Sequence, residues 1–158
     1  MKRITALAAA VMAIAVVAAP VAAFAAKTDP QQSDPNATAD FHGKIKVGSS
    51  KATLKVTYSC NAGQVLWISA KQVSSGKADP KLEKESSSKI SSAWWQSHRN
   101  PITCDSQPHT ATFSMDKKEK GSKGKLKPGK AWVQFCVTNG DGPQGLVLSA
   151  HDFVTVTD

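Results

Sequence analysis

Three cysteines are the residues with the clearest chemistry in this 158-residue sequence. In an oxidising compartment they allow one internal disulfide and leave one thiol over. Cys60 and Tyr58 are two residues apart in a predicted strand, so they lie on the same, apolar face. Cys104 and Ile102 are spaced in the same way. Cys136 instead lies on the face opposite to its apolar neighbours Phe135 and Val137. Parity therefore favours a Cys60–Cys104 disulfide, with a Cys60–Cys136 bridge as the alternative. The leftover thiol is either a half-buried small hydrophobe or an exposed group that forms a covalent dimer.

A lysine-rich segment at residues 116–130 (DKKEKGSKGKLKPGK) is the second chemical feature, with seven lysines against two acids. It lies between two predicted strands, so we expect a mobile loop or hairpin tip. Its charge suits anionic envelope polymers, such as teichoic acids, acidic glycans or lipid headgroups, bound in a salt-sensitive way. A solvated loop that only keeps the protein soluble is the alternative. The lysines are Lys117, Lys118, Lys120, Lys123, Lys125, Lys127 and Lys130.

Two adjacent tryptophans, Trp94 and Trp95, form the third feature. Neighbours on a strand face opposite ways, so at most one of them enters a given core face. The other could contact a sugar ring or an apolar partner surface, or it could cover a sheet edge beneath the long neighbouring loop.

Catalytic and metal-binding patterns are not found in the sequence. No nucleophile elbow, zinc-protease helix or phosphate loop occurs. The four histidines are scattered without metal-ligand spacing to one another or to cysteine. We therefore expect no enzyme, cofactor or metal, although a serine triad assembled through space leaves no local signature.

The N-terminal residues have the pattern of a secretory signal peptide. Lys2 and Arg3 precede an apolar run at 4–17, and the small residues Ala23 and Ala25 occupy the −3 and −1 positions of a cleavage site. We expect cleavage after Ala25 and a secreted, extracellular product without a transmembrane span. Removing Lys2 and Arg3 with that peptide leaves 18 basic and 12 acidic residues, a net charge of +6.

The remaining chain has the composition and periodicity of a small β domain. Residues 26–40 are polar and aperiodic, which predicts a disordered leader. Residues 41–158 contain about seven or eight short strands separated by Gly, Pro, Asn and Asp turns, and the clearest strand alternates over 52–60. This pattern favours an all-β fold, an antiparallel two-sheet immunoglobulin-like sandwich, with an open barrel as the alternative. Residues 79–90 are either a loop or a short helix that Asp79 caps.

Three motifs together resemble small exported β-sandwich proteins of actinobacteria, which are uncharacterised. They are Tyr58-Ser59-Cys60 before a glycine turn, Thr103-Cys104-Asp105 before a strand, and Lys127-Pro128-Gly129 before the strand at 131–138. The resemblance implies an immunoglobulin-like fold and supports the Cys60–Cys104 pairing, and it implies no activity. A weaker similarity links the turn at 139–145 to the end of neocarzinostatin-type apoproteins, whose two disulfides this sequence lacks.

These features lead to three functional hypotheses. The first is a non-catalytic extracellular module that binds anionic polymers of the cell envelope or matrix through the lysine-rich segment, with Trp94 or Trp95 as an additional contact. The second is a carrier of a small hydrophobic ligand in a cleft of the sandwich. The third is a secreted hydrolase without a visible motif.

No sequence-specific contact with nucleic acid is expected, because nothing in the sequence is suited to reading bases. The protein is expected to be a monomer, or a dimer if Cys136 is exposed.

Overall fold

The structure, a computed structural model, describes residues 23–28, 32–63, 65–84, 87–140 and 145–158. It confirms the expected all-β class. The strands are β1 Ala23–Ala25, β2 Lys27–Thr28, β3 Thr38–Val47, β4 Lys51–Ser59, β5 Val65–Gln72, β6 Ala93–Ser97, β7 His109–Asp116, β8 Gly129–Thr138 and β9 Leu146–Thr157. Between β5 and β6 lie a 3-10 helix, Pro80–Glu83, and the four-residue helix α1, Ser87–Ile90.

The strands form one sheet that closes into a barrel. Its order is β1-β3-β4-β7-β6-β5-β8-β9-β2, and an additional parallel pairing of β3 with β9 closes the ring of seven strands from β3 to β9. Two separate sheets, as in the expected immunoglobulin-like sandwich, are not what these pairings produce. Inward and outward side chains alternate in the same way in a sandwich and a barrel, so sequence periodicity does not distinguish them.

The barrel consists of two long ladders joined at short seams. One ladder is β3-β4-β7 and the other is β6-β5-β8-β9. At one seam β6 and β7 pair through Gln96 and Asp116. At the other, β3 and β9 pair through Ile45 with Val156 and Lys46 with Thr157. Each ladder therefore has its own outer face, although both enclose the same core.

The core is filled by the inward residues of both ladders. In β4, buried Leu54 and Val56 alternate with exposed Lys55, as the sequence pattern predicts. The rings of Tyr58, Phe113 and Phe135 pack with centroids 5.1–5.7 Å apart. Close packing of this kind leaves the inside of a small barrel occupied by side chains.

The ordered domain begins earlier than residue 41. β3 starts at Thr38, and Ala37 and Ala39 are buried in the core. Asp34 is also buried, and its carboxylate accepts hydrogen bonds from the amides of Asn36 and Asn61, both at 3.0 Å. The part of the expected disordered leader from 32 to 40 is therefore folded, because an Asx turn and two inward alanines fix it to the barrel.

Two short strands lie where β3 and β9 separate. β1 pairs with residues 40–42 of β3, and β2 pairs with residues 150–151 of β9. Residues 1–22 of the predicted signal peptide lie outside the described residues. Neither helix in the described part of the chain is long and apolar enough to cross a membrane.

The segment between β5 and β6 is helical where the sequence left a choice. Asp79 accepts a hydrogen bond from the Lys81 amide at 2.9 Å, and Pro80 occupies the first turn, so the predicted cap is present. The expected strand at 102–104 is not formed, and β6 begins at Ala93 instead of near residue 90.

Candidate functional site

The lysine-rich segment, residues 116–130, lies along β6 and does not project as the mobile loop or hairpin tip expected from the sequence. We call it the lysine strap. The amides of Lys123 and Trp94 donate to each other's carbonyl oxygens at 2.7 and 2.9 Å. Leu126 is buried in the main core at 1% exposure. One apolar anchor and a backbone bridge therefore hold a segment whose charge pattern alone suggests mobility.

Two glutamines tie the strap to the strands beneath it. The Gln96 side-chain amide donates to the Lys120 carbonyl at 2.6 Å, and the Gln96 backbone amide donates to Ser122 Oγ at 3.1 Å. Gln72 donates to the Lys127 carbonyl and accepts from the Lys127 amide, both at 2.9 Å. These contacts hold the strap near its middle and near its end, so its charges have defined positions on the barrel.

The strap exposes its lysines, whereas its two acids are engaged locally. Glu119 pairs with Arg99 at 3.3 Å and with His98 at 3.6 Å. Asp116 accepts a hydrogen bond from the Lys118 amide at 2.8 Å. All the predicted lysines lie at least partly in solvent, namely Lys117, Lys118, Lys120, Lys123, Lys125, Lys127 and Lys130. The strap therefore presents a surface of net positive charge.

Trp94 and Trp95 face opposite sides of β6, as predicted for neighbours on a strand. Trp95 is in the core at 1% exposure, and its indole donates to the Gly124 carbonyl at 3.2 Å. Trp94 lies on the outside, with the Lys71 ammonium 4.8 Å from its ring centroid. Of the two, only Trp94 is placed to contact another molecule.

The outer side chains of the β6-β5-β8-β9 ladder form a second partly buried layer, which we call the aromatic face. Trp132 is 2% exposed and Ser69 is fully buried. Leu82 from the 3-10 helix is also fully buried, yet it lies outside the main core cluster, as does Trp132. The members of the face are Trp94 and Gln96, then Trp67, Ser69 and Lys71, then Trp132, Gln134 and Cys136, and finally Ser149, His151 and Phe153.

Lys71 is the one charged side chain buried in the aromatic face within the described residues, at 5% exposure. Its ammonium donates to Ser87 Oγ of α1 at 2.9 Å. The ion pairs of the described residues do not include it. Desolvation lowers the pKa of the Lys71 ammonium, and its electrostatic interaction with Cys136 opposes that shift only in part.

The outer side of the β3-β4-β7 ladder is different in composition, and we call it the threonine-lysine face. Thr57 Oγ1 lies 2.7 Å from Thr110 Oγ1 and 2.7 Å from His42 Nε2. A cleft of about 330 Å³ on this face is lined by residues that include Lys44, Lys46 and Lys55. This second group of lysines was not singled out from the sequence.

The cysteines pair as strand parity predicted. Cys60 and Cys104 form a disulfide, so the alternative bridge from Cys60 to Cys136 is wrong. Cys136 is buried, with its sulfur 3.7 Å from Ser149 Oγ. The structure therefore does not present an exposed thiol at Cys136 for a covalent dimer.

One histidine–carboxylate pair is present on the surface. His109 Nε2 lies 2.7 Å from Asp105 Oδ1, and this hydrogen bond lowers the pKa of the Asp105 carboxyl. In the described residues no hydroxyl or thiol completes a triad with His109 through hydrogen bonds. The same part of the chain contains no group of three or more His, Cys, Asp or Glu side chains arranged to hold a metal ion.

Comparison with known proteins gives no match, because no family model, curated protein or solved structure is significantly similar to this chain.

Proposed function

We propose that the protein is a non-catalytic extracellular module that binds anionic cell-envelope polymers through the lysine strap. The observation that carries this proposal is the fixation of the strap along β6, which holds its lysines at defined positions. A mobile charged loop loses conformational freedom when it binds, whereas a strap already tied to a barrel loses little. Export, as predicted from residues 1–25, would bring the strap to such polymers.

Two clefts beside the strap offer places for anionic groups. One, of about 380 Å³, is lined in part by Lys117, Lys125 and Asp158. The other, of about 190 Å³, is lined in part by Lys125 and Lys127. Lys125 therefore stands between two shallow depressions, and successive phosphates or carboxylates of one polymer could reach both. Lysine ammonium groups act here as hydrated point charges, so binding depends on charge density more than on sequence or shape.

The carrier hypothesis has less support in this fold. The cavity between β3 and β9, lined in part by Phe41 and Phe153, measures about 90 Å³, and the larger clefts of about 330 and 380 Å³ are lined in part by lysines. Sites for drug-sized ligands usually enclose roughly 300 Å³ or more. We therefore do not extend the proposal to a hydrophobic carrier.

Retention of the mature chain on immobilised wall teichoic acid, with neutral dextran as the control matrix, tests the proposal. We expect retention on the anionic matrix alone, lost between about 0.05 M and about 0.5 M salt as screening shortens the range of the charges. Equal retention on dextran, or retention that salt does not weaken, would contradict a charge-driven interaction.

A pair of matched triple variants locates the binding surface. Changing Lys117, Lys125 and Lys127 to Glu should weaken teichoic acid binding by about tenfold or more, since each lysine near an anionic surface contributes on the order of 1 kcal/mol. The control changes the lysines of the threonine-lysine face, Lys44, Lys46 and Lys55, to Glu and alters net charge by the same amount. If the two triple variants lose binding equally, net charge and not the strap is responsible.

A further inference from the structure

The aromatic face contains a group of buried polar atoms without partners. In the described part of the chain, four buried side-chain atoms make no hydrogen bond within the protein: Ser69 Oγ, Trp94 Nε1, Trp132 Nε1 and Gln134 Oε1. All four belong to this one face. A buried donor or acceptor without a partner destabilises the folded state, so a cluster of them at one place requires an explanation.

Strand register makes these atoms neighbours. Ser69 lies directly opposite Gln134, and Lys71 lies directly opposite Trp132, in the pairing of β5 with β8. Lys71 also lies opposite Trp94 in the pairing of β5 with β6. Directly opposed residues have Cβ atoms about 5 Å apart. The four atoms therefore belong to side chains grouped around Lys71 on one face of three adjacent strands.

Two other polar members of this face show that partners are available where the fold supplies them. Trp67 donates to Gln96 Oε1 at 3.0 Å, and Gln96 donates in turn to the Lys120 carbonyl. The indoles of Trp94 and Trp132 have no such acceptor. Trp132 is instead fixed by neighbouring rings, with His151 and Phe153 at centroid distances of 4.8 and 5.0 Å.

Lys71 adds a positive charge that pairs with no carboxylate of the described residues, although Cys136 on the same face interacts with it electrostatically. Its ammonium contacts a serine hydroxyl and the face of Trp94, and the ion pairs found in the structure lie elsewhere. A buried cation of this kind is stabilised when an anion binds beside it.

We infer that the aromatic face binds a small hydroxycarboxylate beside Lys71. The site offers donors in excess: two indole N–H groups, a serine hydroxyl and an ammonium, against the single unpartnered acceptor Gln134 Oε1. A carboxylate accepts from several donors and balances the charge of Lys71, and one hydroxyl group on the same molecule donates to Gln134. Gln134 and Trp67 are partly exposed, which gives the ligand a side from which to enter.

Titration of the mature chain with sodium lactate tests this inference, by calorimetry and by the fluorescence of the surrounding indoles. Propionate, which lacks the hydroxyl, and lactamide, which lacks the charge, are the matched probes. We expect lactate to bind most tightly, propionate more weakly, and lactamide least. If lactate gives neither heat nor a fluorescence change at concentrations high enough to saturate a weak site, the inference is overturned. The polar layer would then be occupied by water only.

Two variants identify the groups responsible. Lys71→Met retains length and apolar packing and should weaken lactate binding about tenfold or more, the effect of a charge-assisted hydrogen bond. Gln134→Leu should remove the preference for lactate over propionate while keeping propionate binding. Lys55→Met, which changes an exposed lysine of the threonine-lysine face, is the control and should bind lactate normally.

The outcomes separate this site from the strap. Teichoic acid binding by Lys71→Met should equal that of the unchanged protein, since Lys71 is not part of the strap. If Lys71→Met and Lys55→Met bind lactate equally well, the ligand lies elsewhere and the inference fails. Circular dichroism of each variant shows that a loss of binding does not come from unfolding.

Discussion

The two outer faces of this barrel accommodate polar side chains in different ways. On the threonine-lysine face, hydroxyl groups pair with one another, as Thr57 does with Thr110, and the lysines extend into solvent. On the aromatic face, Trp132 and Lys71 are buried, α1 contacts Lys71 through Ser87, and four polar atoms have no partner. Polar groups that water can reach need no further partner, whereas buried ones do. This difference is why the aromatic face, and not the threonine-lysine face, is proposed to bind a small ligand.

The disulfide should have the largest effect on stability, and both of its cysteines lie next to strands of the β3-β4-β7 ladder. It joins the residue after β4 to the segment before β7, and its 44-residue separation encloses β5 and β6 of the other ladder. Changing Cys60 and Cys104 to Ala should lower the free energy of unfolding by about 4 kcal/mol in the chain-entropy treatment. Urea unfolding of the mature chain measures it.

The control for that experiment is Cys136→Ala, which keeps the loop closed and removes one buried sulfur. Its expected cost is about 1 kcal/mol. If the double variant costs no more than this control, the pairing of β4 with β7 holds these two segments of the chain together without covalent help.

The 3-10 helix between β5 and β6 provides the second test. Leu82 is fully buried although it lies outside the main core. Leu82→Ala should lower the free energy of unfolding by about 3 kcal/mol, through lost burial and the cavity that remains. Thr112→Ala, on the exposed threonine-lysine face, should change it by less than about 0.5 kcal/mol. Equal effects of the two variants in urea unfolding would mean that the burial of Leu82 contributes nothing to the stability of the fold.

Several parts of the structure could be predicted from sequence because they depend on local pattern. Alternation along the chain predicted the Cys60–Cys104 pair, and the two are joined, although residues 102–104 do not form the expected strand. Parity also separated Trp94 from Trp95, and Asp79 caps the 3-10 helix as its position before Pro80 suggested. Each of these conclusions needs only the alternation of a strand or the chemistry of one turn.

The barrel and the aromatic face could not be predicted in that way, because both depend on contacts between distant segments. The seam that closes the barrel is two residue pairs between β3 and β9. The anchoring of the strap depends on Leu126, a single apolar residue among lysines. A signal for the aromatic face did exist: Trp67 and Lys71 occupy the outward positions of β5, which is buried on both sides for most of its length. A strand with bulky side chains on both faces must be covered on both.

The strap can be loosened at a glycine that approaches β6 closely. Gly124 has a φ of +69°, and a Cβ there would lie 2.1 Å from the Ser92 carbonyl oxygen. Gly124→Ala should therefore cost about 2 kcal/mol or more, and it should increase hydrogen exchange at Trp94 and Lys123, whose amides form the bridge.

Gly43 on the other ladder is the matched control, since it has a φ of +73° but no atom lies within 4 Å of the position that an added Cβ would take. Gly43→Ala should show only the conformational cost of about 1 kcal/mol. Equal losses in the two variants would show that the strap yields without resistance, and the defined spacing of its charges would then no longer support the proposed binding surface.

The pH dependence of stability gives the smallest effect and bears most directly on Lys71. Desolvation lowers its pKa in the folded protein below the usual 10.5, and Cys136 opposes the shift in part. Between the lowered pKa and about 10.5 the unfolded chain holds a proton that the folded chain has released, so stability rises with pH across that window. Lys71→Met removes this contribution.

In urea unfolding at pH 7 and pH 10, the unchanged protein should gain stability relative to Lys71→Met, whereas Lys55→Met, on the threonine-lysine face, should follow the unchanged protein. If Lys71→Met also follows it, Lys71 is hydrated, the two faces are alike in this respect, and the argument for an anion beside Lys71 loses its electrostatic basis.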